Sequence, residues 1–511
     1  LSESKDFEKK KQFFLLSFLF ISLFFMISLF WESKRAWAKM QDSDNHNNVP
    51  DHLVWKLLQS YIEVHGAVRH QIESYDNFVT NILPHIIMEN SDLTCVHSSE
   101  KFSHHLHFCN VTVRQPTCRE ADGFERQVMP RVARWRGFTY ASSVVVDLVH
   151  DKVDQTTTPA KLLSRKVYRD VVLCRIPVMV YSKLCYLTTT HDTEYECKMD
   201  RGGYFIVNGI EKSLLAQEKL RTNFPYVFPC RSARFQFVCE VRSCHELKMR
   251  STSTLYMYIT KSIEGMLPEI LIELPFIDMN ISLVTLFRIL GATSTDEIIQ
   301  YVNCKNCIVE NIVRNCLDSD INAHADVQEL LDWIGRDGTK EITKERRSRY
   351  LEHIFSNEVL PHMGLHRDET CNRRKMVYLG HMVNKLVTVS IGEIPCDDRD
   401  NYANKRVDSS GVLMSLLFRQ LYRNFLKMLG MHLHKVVESN KEDTFNAGDL
   451  INHKKISSGF KYAFSTGNWG VQKGAVNGQT GIAQILSRMT TVSAIANSFL
   501  PNSAKEMSLT I

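Results

Sequence analysis

Three cations in the segment 412–430 have a spacing that could serve a binding function. This segment has the pattern of one long amphipathic helix ending at Gly430, and Arg419, Arg423 and Lys427 recur in it every four residues. Such spacing aligns side chains along one side of a helix. Because Arg and Lys supply most contacts to nucleic-acid phosphates, the stripe indicates a surface that follows a phosphate backbone. A solvated helix face opposite a leucine-rich core face is the alternative.

The final segment, 451–511, is basic. It holds six Lys and Arg residues against one Glu, so its net charge of +5 equals that of the whole 511-residue chain. It also contains Phe464, Trp469 and several glycines. Basic and aromatic groups on flexible loops suit a protein that follows a nucleic-acid strand without reading its sequence.

The segment Asp397-Asp398-Arg399-Asp400 resembles a metal site, since clustered carboxylates bind Mg²⁺. The interleaved Arg399 and the nearby Lys405 and Arg406 favour an ion-paired structural turn instead. We therefore expect this segment to be structural.

Cys304 and Cys307 form the one Cys-x-x-Cys pair, with Cys316 nine residues further on. A structural zinc site normally needs two such pairs, so buried thiols in a helical segment are the better interpretation. The chain also contains no phosphate-binding GxxxxGK[ST], no HExxH and no GxSxG. We expect neither a metal site nor catalytic residues in this chain.

Composition limits the class of protein. Charged residues make up 23% of the chain and its mean hydropathy is −0.20, which argues against wholesale disorder and against a polytopic membrane protein. The 14 Cys residues are scattered along a long chain, a pattern typical of a reducing compartment.

One apolar, uncharged run at 13–31 is long enough to cross a bilayer as a helix. A signal peptide, a membrane anchor and an N-terminal extension foreign to the fold are the alternatives, and we rank the extension first.

The elements that position these residues are helices and strands in mixed order. A helical period begins at Leu53, and a second helix over 75–88 breaks near Pro84. The segments 142–149 and 171–180 have the composition of strands, and 202–209 of a short strand that leads into a helix over 211–220. Residues 235–277 are predicted to be rich in strands and 282–362 in helices. The predicted fold class is α+β with several domains.

Taken in order, the motifs resemble those of the second-largest (beta-type) subunit of multisubunit DNA-directed RNA polymerases, of the eukaryotic, archaeal and large-DNA-virus type. The resemblance runs from about residue 51 to residue 501. The main motifs are Ile176-Pro177-Val178-Met179, the glycine-bounded 202–209, Ala216-Gln217-Glu218, Leu360-Pro361-His362, Leu379-Gly380-His381-Met382, Asp397-Asp398-Arg399-Asp400 and Thr466-Gly467-Asn468-Trp469-Gly470.

The resemblance implies a domain layout. Residues 1–49 form an extension, 50–222 the first part of the protrusion, 223–395 the lobe, 396–454 the second part of the protrusion, and 455–511 the start of the fork. In the family these domains form one wall of the DNA cleft. The resemblance assigns Gly467, Asn468, Trp469 and Gly470 to a fork loop. Lys473 and Arg488 are our predicted contacts to the nucleic-acid backbone.

The resemblance also implies partners. They are the largest subunit and other polymerase subunits, template DNA and the RNA–DNA hybrid, without a membrane. The family's catalytic Mg²⁺ is held by the largest subunit, so this chain would contribute no cofactor to the nucleotidyltransferase. The expected location is the nucleus, or the cytoplasm or virion if the source is a large DNA virus.

The chain departs from the family near its end. Asn497, Ser498, Phe499 and Leu500 stand where the family has a histidine, a leucine and paired arginines, and the match fades after Pro501. The family's C-terminal half does not follow. A truncated, non-catalytic paralogue that acts as an interaction module is therefore the alternative function, and a membrane-anchored protein is a third.

Overall fold

The structure is a computed structural model of the chain. It describes residues 51–96, 102–120, 122–154, 161–190, 196–197, 199–245, 252–261, 268–304, 306–318, 326–339, 343–365, 368–438, 446–470, 480–499 and 502–503. The apolar run at 13–31, Lys473 and Leu500 lie outside these residues. The chain divides into two compact units, residues 1–66 and 67–511. In the first unit the helix α1 (Asp51–His65) confirms the helix predicted around Leu53.

The second unit contains the remaining elements. Its helices are α2 (Arg69–Asn77), α3 (Leu83–Glu89), α4 (Pro130–Trp135), α5 (Tyr186–Thr189), α6 (Leu283–Leu290), α7 (Thr295–Val302), α8 (Cys307–Asp318), α9 (Val327–Asp337), α10 (Lys344–Asn357), α11 (Glu369–Ile391), α12 (Ser410–Glu438), α13 (Lys454–Thr466) and α14 (Thr491–Phe499). A π-helical turn, Phe78–Ile82, joins α2 to α3, and short 3₁₀ turns cover Pro361–Met363, Tyr402–Asn404 and Ala447–Leu450.

Its strands are β1 (Asp92–Val96), β2 (Phe102–Val113), β3 (Thr117–Arg119), β4 (Glu125–Gln127), β5 (Ala141–Asp154), β6 (Lys161–Pro177), β7 (Phe205–Val207), β8 (Ile210–Leu214), β9 (Gln217–Leu220), β10 (Tyr226–Pro229), β11 (Phe235–Ser243), β12 (Ser253–Thr260), β13 (Ile270–Glu273), β14 (Asn280–Ser282), β15 (Lys405–Asp408), β16 (Ala483–Ile485) and β17 (Asn502–Ser503).

One hydrophobic core lies between an antiparallel four-stranded sheet, ordered β1-β2-β5-β6, and the helices α2, α3, α12 and α13. Phe108 and Val146 of the sheet are fully buried in it, together with Phe418 of α12 and Phe460 of α13. The predicted start of the fork therefore packs into the same core as the predicted protrusion.

A second core is built on the antiparallel meander β10 to β14 and the helices α6 to α11. Side chains of β12 alternate strictly between buried and half-buried, so one face of the meander supports the helices. Helix α6 begins at Ser282, whose hydroxyl accepts a hydrogen bond from Thr285 N, and ends at Gly291 in the left-handed region. The strands predicted in 235–277 and the helices in 282–362 are confirmed, as is the α+β fold class.

The chain crosses between the two cores twice, and the crossing segments pair. β9 leads out and β15 returns antiparallel beside it. Two ion pairs join them: Lys219 with Asp408 at 2.7 Å and Lys405 with Glu218 at 3.1 Å. The domain names and the boundaries at residues 222, 395 and 454 stay predictions.

The helix predicted over 211–220 is wrong. This segment forms β8 and β9, and β8 folds back on β7 with Val207 opposite Ile210. The turn residues Asn208 and Gly209 have φ of 54° and 77°, as a two-residue hairpin of type I′ requires. The Asn-Gly pair between apolar runs was the signal that would have predicted this hairpin.

The end predicted for the long helix at Gly430 is also wrong. α12 continues to Glu438, and Leu433 and Val437 extend its buried face. Their burial offsets the cost of one internal glycine, which is about 1 kcal/mol. A break was predicted near Pro84. The π-helical turn ends at Ile82 and α3 begins at Leu83, so Pro84 lies in the first turn of α3. In the part of the chain that the structure describes, no helix is long and apolar enough to cross a membrane.

Candidate nucleic-acid interface

Helices α12 and α13 form an antiparallel pair. Phe418 stacks on Phe460 with ring centroids 6.4 Å apart, and Leu421 fills the space beside Gly459. Further along, the indole Nε1 of Trp469 donates a hydrogen bond to the carbonyl oxygen of Leu413 at 2.8 Å. Residue numbers rise along one helix as they fall along the other, so the N-terminal half of α13 lies beside the middle of α12.

The outer face of this pair is basic. Among the exposed cations are Arg423 and Lys427 of α12 and Lys454, Lys455 and Lys461 of α13, which together we call the helix-pair surface; Lys435 of α12 is exposed as well. Within 410–437 and 451–470 the sequence contains no Asp or Glu. Both stretches of sequence are therefore net positive, which suits contacts to a phosphate backbone.

The exposed aromatic ring of this region is Tyr462, with 59% of its surface accessible. Phe464 and Trp469, which the sequence predicted to serve nucleic-acid binding, are instead buried and pack edge to face with ring centroids 5.3 Å apart. Helical spacing could have predicted the exposure of Tyr462, because Tyr462 is adjacent to Lys461 and lies seven residues, or about two turns, after Lys455. A nucleic-acid base could stack on Tyr462 between these cations.

Arg419 is not part of this surface, which corrects the predicted stripe. It is only 4% exposed, and its Nη1 donates to Glu89 Oε2 at 2.6 Å. Arg423 and Lys427 point outward, whereas Arg419 faces the end of α3. A four-residue repeat advances 400° around a helix, so successive side chains drift in direction and the first can turn into the core.

The predicted fork-loop residues have mainly packing contacts. Gly467 ends α13 with φ of 76°, and Asn468 N donates to Thr466 Oγ1. Gly470 also adopts a positive φ of 71°, and its carbonyl oxygen accepts a hydrogen bond from Gln420 Nε2. Together with the buried Trp469, these contacts fix the chain where it leaves α13 toward Lys473, which lies outside the described residues.

Arg488 lies at a different place and is held by carboxylates. Its Nε donates to Glu211 Oε2 at 2.6 Å and its Nη2 to Asp200 Oδ2 at 3.0 Å, while its guanidinium covers the ring of Tyr204. The hydrogen bonds to Glu211 raise the pKa of Arg488 above its ordinary value. Glu211 also accepts from Arg134 Nε, so Arg488 joins the segment before α14 to the hairpin β7–β8. Sequence reasoning missed this network, because its members are far apart in the chain.

The segment Asp397–Asp400 lies at the base of the second core. Asp397 Oδ2 accepts hydrogen bonds from Val227 N at 2.8 Å and from Lys385 Nζ at 2.7 Å. Arg399 pairs with Glu240 at 3.0 Å and its guanidinium lies 3.9 Å from the ring centroid of Phe228.

Asp398 Oδ1 accepts a hydrogen bond from Asp400 N within the turn. Among the described residues, no group of three or more His, Cys, Asp and Glu side chains is arranged to hold a metal. Of the three cysteines considered for zinc, Cys316 is buried and Cys304 half-buried, but Cys307 is exposed, which corrects the expectation of buried thiols there.

The chain is similar to known proteins over most of its length. Residues 66–458 match the family described as RNA polymerase beta subunit. The chain is 32% identical over 478 residues to the DNA-directed RNA polymerase II subunit 2 of Arabidopsis thaliana, covering 89% of this chain and 40% of that protein. It is 32% identical to the RNA polymerase II subunit RPB2 of Encephalitozoon cuniculi, covering 87% of this chain and 39% of that protein. It is 28% identical to the RNA polymerase subunit Rpo2N of Methanococcus vannielii, covering 86% of this chain and 84% of that protein.

Proposed function

This chain belongs to the RNA polymerase beta subunit family, and we propose that it forms one wall of the DNA cleft in a DNA-directed RNA polymerase, contacting template DNA and the RNA–DNA hybrid through the helix-pair surface. The chain spans about two fifths of the length of the first curated relatives it matches. The relative from Methanococcus vannielii, named as a polymerase subunit, is matched over 84% of its length.

The observation that carries the proposal is the helix-pair surface itself. Five exposed cations on two packed helices, with Tyr462 among them, suit a duplex or hybrid backbone. Both helices are fixed by buried aromatic residues of the first core, so the cations are presented by a rigid support. Backbone contacts of this kind carry no sequence information, as a polymerase that transcribes any template requires.

In the proposed assembly, different subunits bind nucleic acid and carry out catalysis. This chain would position nucleic acid and bind the largest and other polymerase subunits, while the catalytic Mg²⁺ and its carboxylates would belong to the largest subunit. The nucleotidyltransferase activity would then be a property of the assembly. The nuclear polymerase II of the eukaryotic relatives supports the nucleus as the location.

The proposal can be tested by measuring the affinity of the 511-residue chain for a labelled RNA–DNA hybrid over a range of salt concentrations. In the double variant Lys454→Glu/Lys461→Glu we expect roughly tenfold weaker binding at 0.1 M salt, and a slope of log affinity against log salt shallower by about 0.9 for each lost contact. Fluorescence anisotropy gives both quantities.

The matched control is the double variant Lys261→Glu/Arg346→Glu, which replaces two exposed cations of the second core and changes the net charge by the same amount. It should leave both affinity and slope almost unchanged. Equal weakening in the two double variants would mean that net charge alone governs binding, and the helix-pair surface would lose its assigned role.

A further inference from the structure

The two edges of the four-stranded sheet differ in how they are covered. β1, at one edge, packs against α12, where Leu93 lies beside Gly430. β6 forms the other edge, and its second half packs against α13, where Arg175 N donates to Ser457 Oγ at 2.8 Å. The first half of β6, residues 161–169, pairs with β5 on its inner side. No described strand pairs with its outer side.

This uncovered half carries exposed aliphatic side chains and a β-bulge. Leu162 and Val167 share one face, since they lie opposite Val153 and Val149 of β5, and Leu163 is the extra residue of the bulge. Leu162, Leu163 and Val167 are 46%, 47% and 53% exposed, and every residue from 161 to 167 is exposed. Proteins normally shorten, cover, charge or bulge such edges, because unpaired N–H and C=O groups recruit another strand. The lysines and the bulge of this edge oppose pairing with a second copy of itself, whereas a strand of opposite charge would not meet the same repulsion. A long edge that keeps three exposed aliphatic side chains is suited to binding an added strand.

The positive charge of this edge indicates which kind of molecule could bind there. Lys161, Arg165, Lys166 and Arg169 lie within it, and 161–169 contains no Asp or Glu. Arg165 is held across the strands by Asp151 at 2.7 Å. A second copy of this chain would set these cations against one another. A nucleic acid would use the cations but neither the aliphatic side chains nor the row of amides.

We propose that residues 161–169 bind an extended acidic segment of a partner polypeptide by strand addition. Its backbone would continue the sheet beside β6, since main-chain hydrogen bonds supply affinity in this mode and alternate side chains supply specificity. Its Asp or Glu side chains would face Lys161 and Lys166, which share one face of the strand, and its apolar side chains would cover Leu162 and Val167 on the other. This inference does not depend on nucleic-acid binding by the helix-pair surface.

The test is hydrogen exchange, followed by mass spectrometry, on the full chain with a ten-residue peptide of alternating Val and Glu. We expect the peptide to slow exchange of amides in 161–169 by about tenfold or more, because pairing removes outward N–H groups from water. A peptide with Lys in place of every Glu is the matched control and should give no slowing. The variants Lys166→Glu and Leu162→Ser should each weaken the effect of the acidic peptide several-fold.

Both substitutions are at exposed positions, so an unchanged thermal midpoint would show that the fold is retained. Several outcomes would overturn the proposal: no slowing at saturating acidic peptide, equal slowing by the Lys peptide, slowing by duplex DNA in place of peptide, or protection that rises with the concentration of the chain alone.

Discussion

Arg419 and Arg423 lie one turn apart on α12 and differ in burial. Arg419 is 4% exposed and ion-paired with Glu89, while Arg423 is exposed on the helix-pair surface. A buried charge that loses its partner is strongly destabilising, whereas an exposed charge contributes little to stability and more to binding. The two arginines should therefore affect different measurements.

For Arg419→Met we expect the free energy of unfolding to fall by about 3 kcal/mol, because the substitution leaves the partly buried Glu89 carboxylate without this ion pair. Urea denaturation measures the change, and hybrid affinity of the remaining folded protein should match that of the original chain. Arg423→Met is the control: it should weaken hybrid binding and change the free energy of unfolding by less than about 0.5 kcal/mol. A stable Arg419→Met variant with weakened binding would reverse these assignments.

For single residues, the sequence predicted that a basic surface exists more accurately than it predicted which residues belong to it. Lys454, Lys455 and Lys461 follow from the charge of the final segment, because charged side chains are normally exposed. The burial of Trp469 and the exposure of Tyr462 depend on which face of α13 meets α12. That contact is made with a helix that begins about fifty residues earlier in the chain, and local periodicity does not contain it.

In helix α12, the packing around each of two glycines determines how that glycine affects stability. At Gly411 a Cβ atom would lie 1.9 Å from the carbonyl oxygen of Ser74, because α2 crosses α12 there. At Gly430 the nearest atom, Leu93 Cδ1, would be 3.7 Å away, an ordinary contact. The first glycine permits close packing of two helices, and the second only lowers helix propensity.

We expect opposite signs for the same substitution at these two positions. Gly411→Ala should lower the free energy of unfolding by at least about 2 kcal/mol, since backbone must move to make room. Gly430→Ala should raise it by about 0.5–1 kcal/mol, the difference in helix propensity. Urea denaturation of both variants under one set of conditions is sufficient. A loss of stability in both would show that Leu93 and its strand are packed too tightly for a methyl group.

The elements themselves were predictable where one local signal dominated. The first part of β5 and the last part of β6 follow from β-branched runs, whereas 161–170 of β6 was not predicted. Helices were predicted in 282–362, but α11, which follows them in the second core, was not. The helix predicted over 211–220 failed because Glu211 and Lys212 have helical propensity, yet β8 lies between β7 and β16 and its N–H groups are taken by those strands. Tertiary pairing outweighed a weak local preference.

At the scale of the whole molecule, the contacts at the junction of the two cores attach the second core to the first. The chain passes this junction at Val227 going out and at Asp397 returning, and the backbone groups of these residues bond each other. The Asp397 carboxylate also accepts from Val227 N and from Lys385 Nζ of α11. Lys385 Nζ donates in addition to the carbonyl oxygen of Pro225 at 2.8 Å, so one carboxylate and one ammonium group join three segments.

Asp397→Ala should therefore loosen the junction before it unfolds either core. Its removal leaves Val227 N and Lys385 without their shared acceptor, and hydrogen bonds to charged groups contribute about 2 kcal/mol each. Since 1.4 kcal/mol is a factor of ten, amides in 225–229 should exchange with solvent roughly thirtyfold faster. Amides of β12, inside the second core, should keep their rates, because that core is closed by its own helices. Hydrogen exchange with mass spectrometry distinguishes the two sets.

Asp398→Ala is the matched control, because its exposed carboxylate accepts a hydrogen bond from Asp400 N within the turn. It should leave exchange in 225–229 close to that of the original chain. If Asp397→Ala speeds exchange throughout the second core as much as at the junction, the core and its connection form one cooperative unit. If it changes neither, the pairing of β9 with β15 and their two ion pairs are sufficient to hold the crossing segments together.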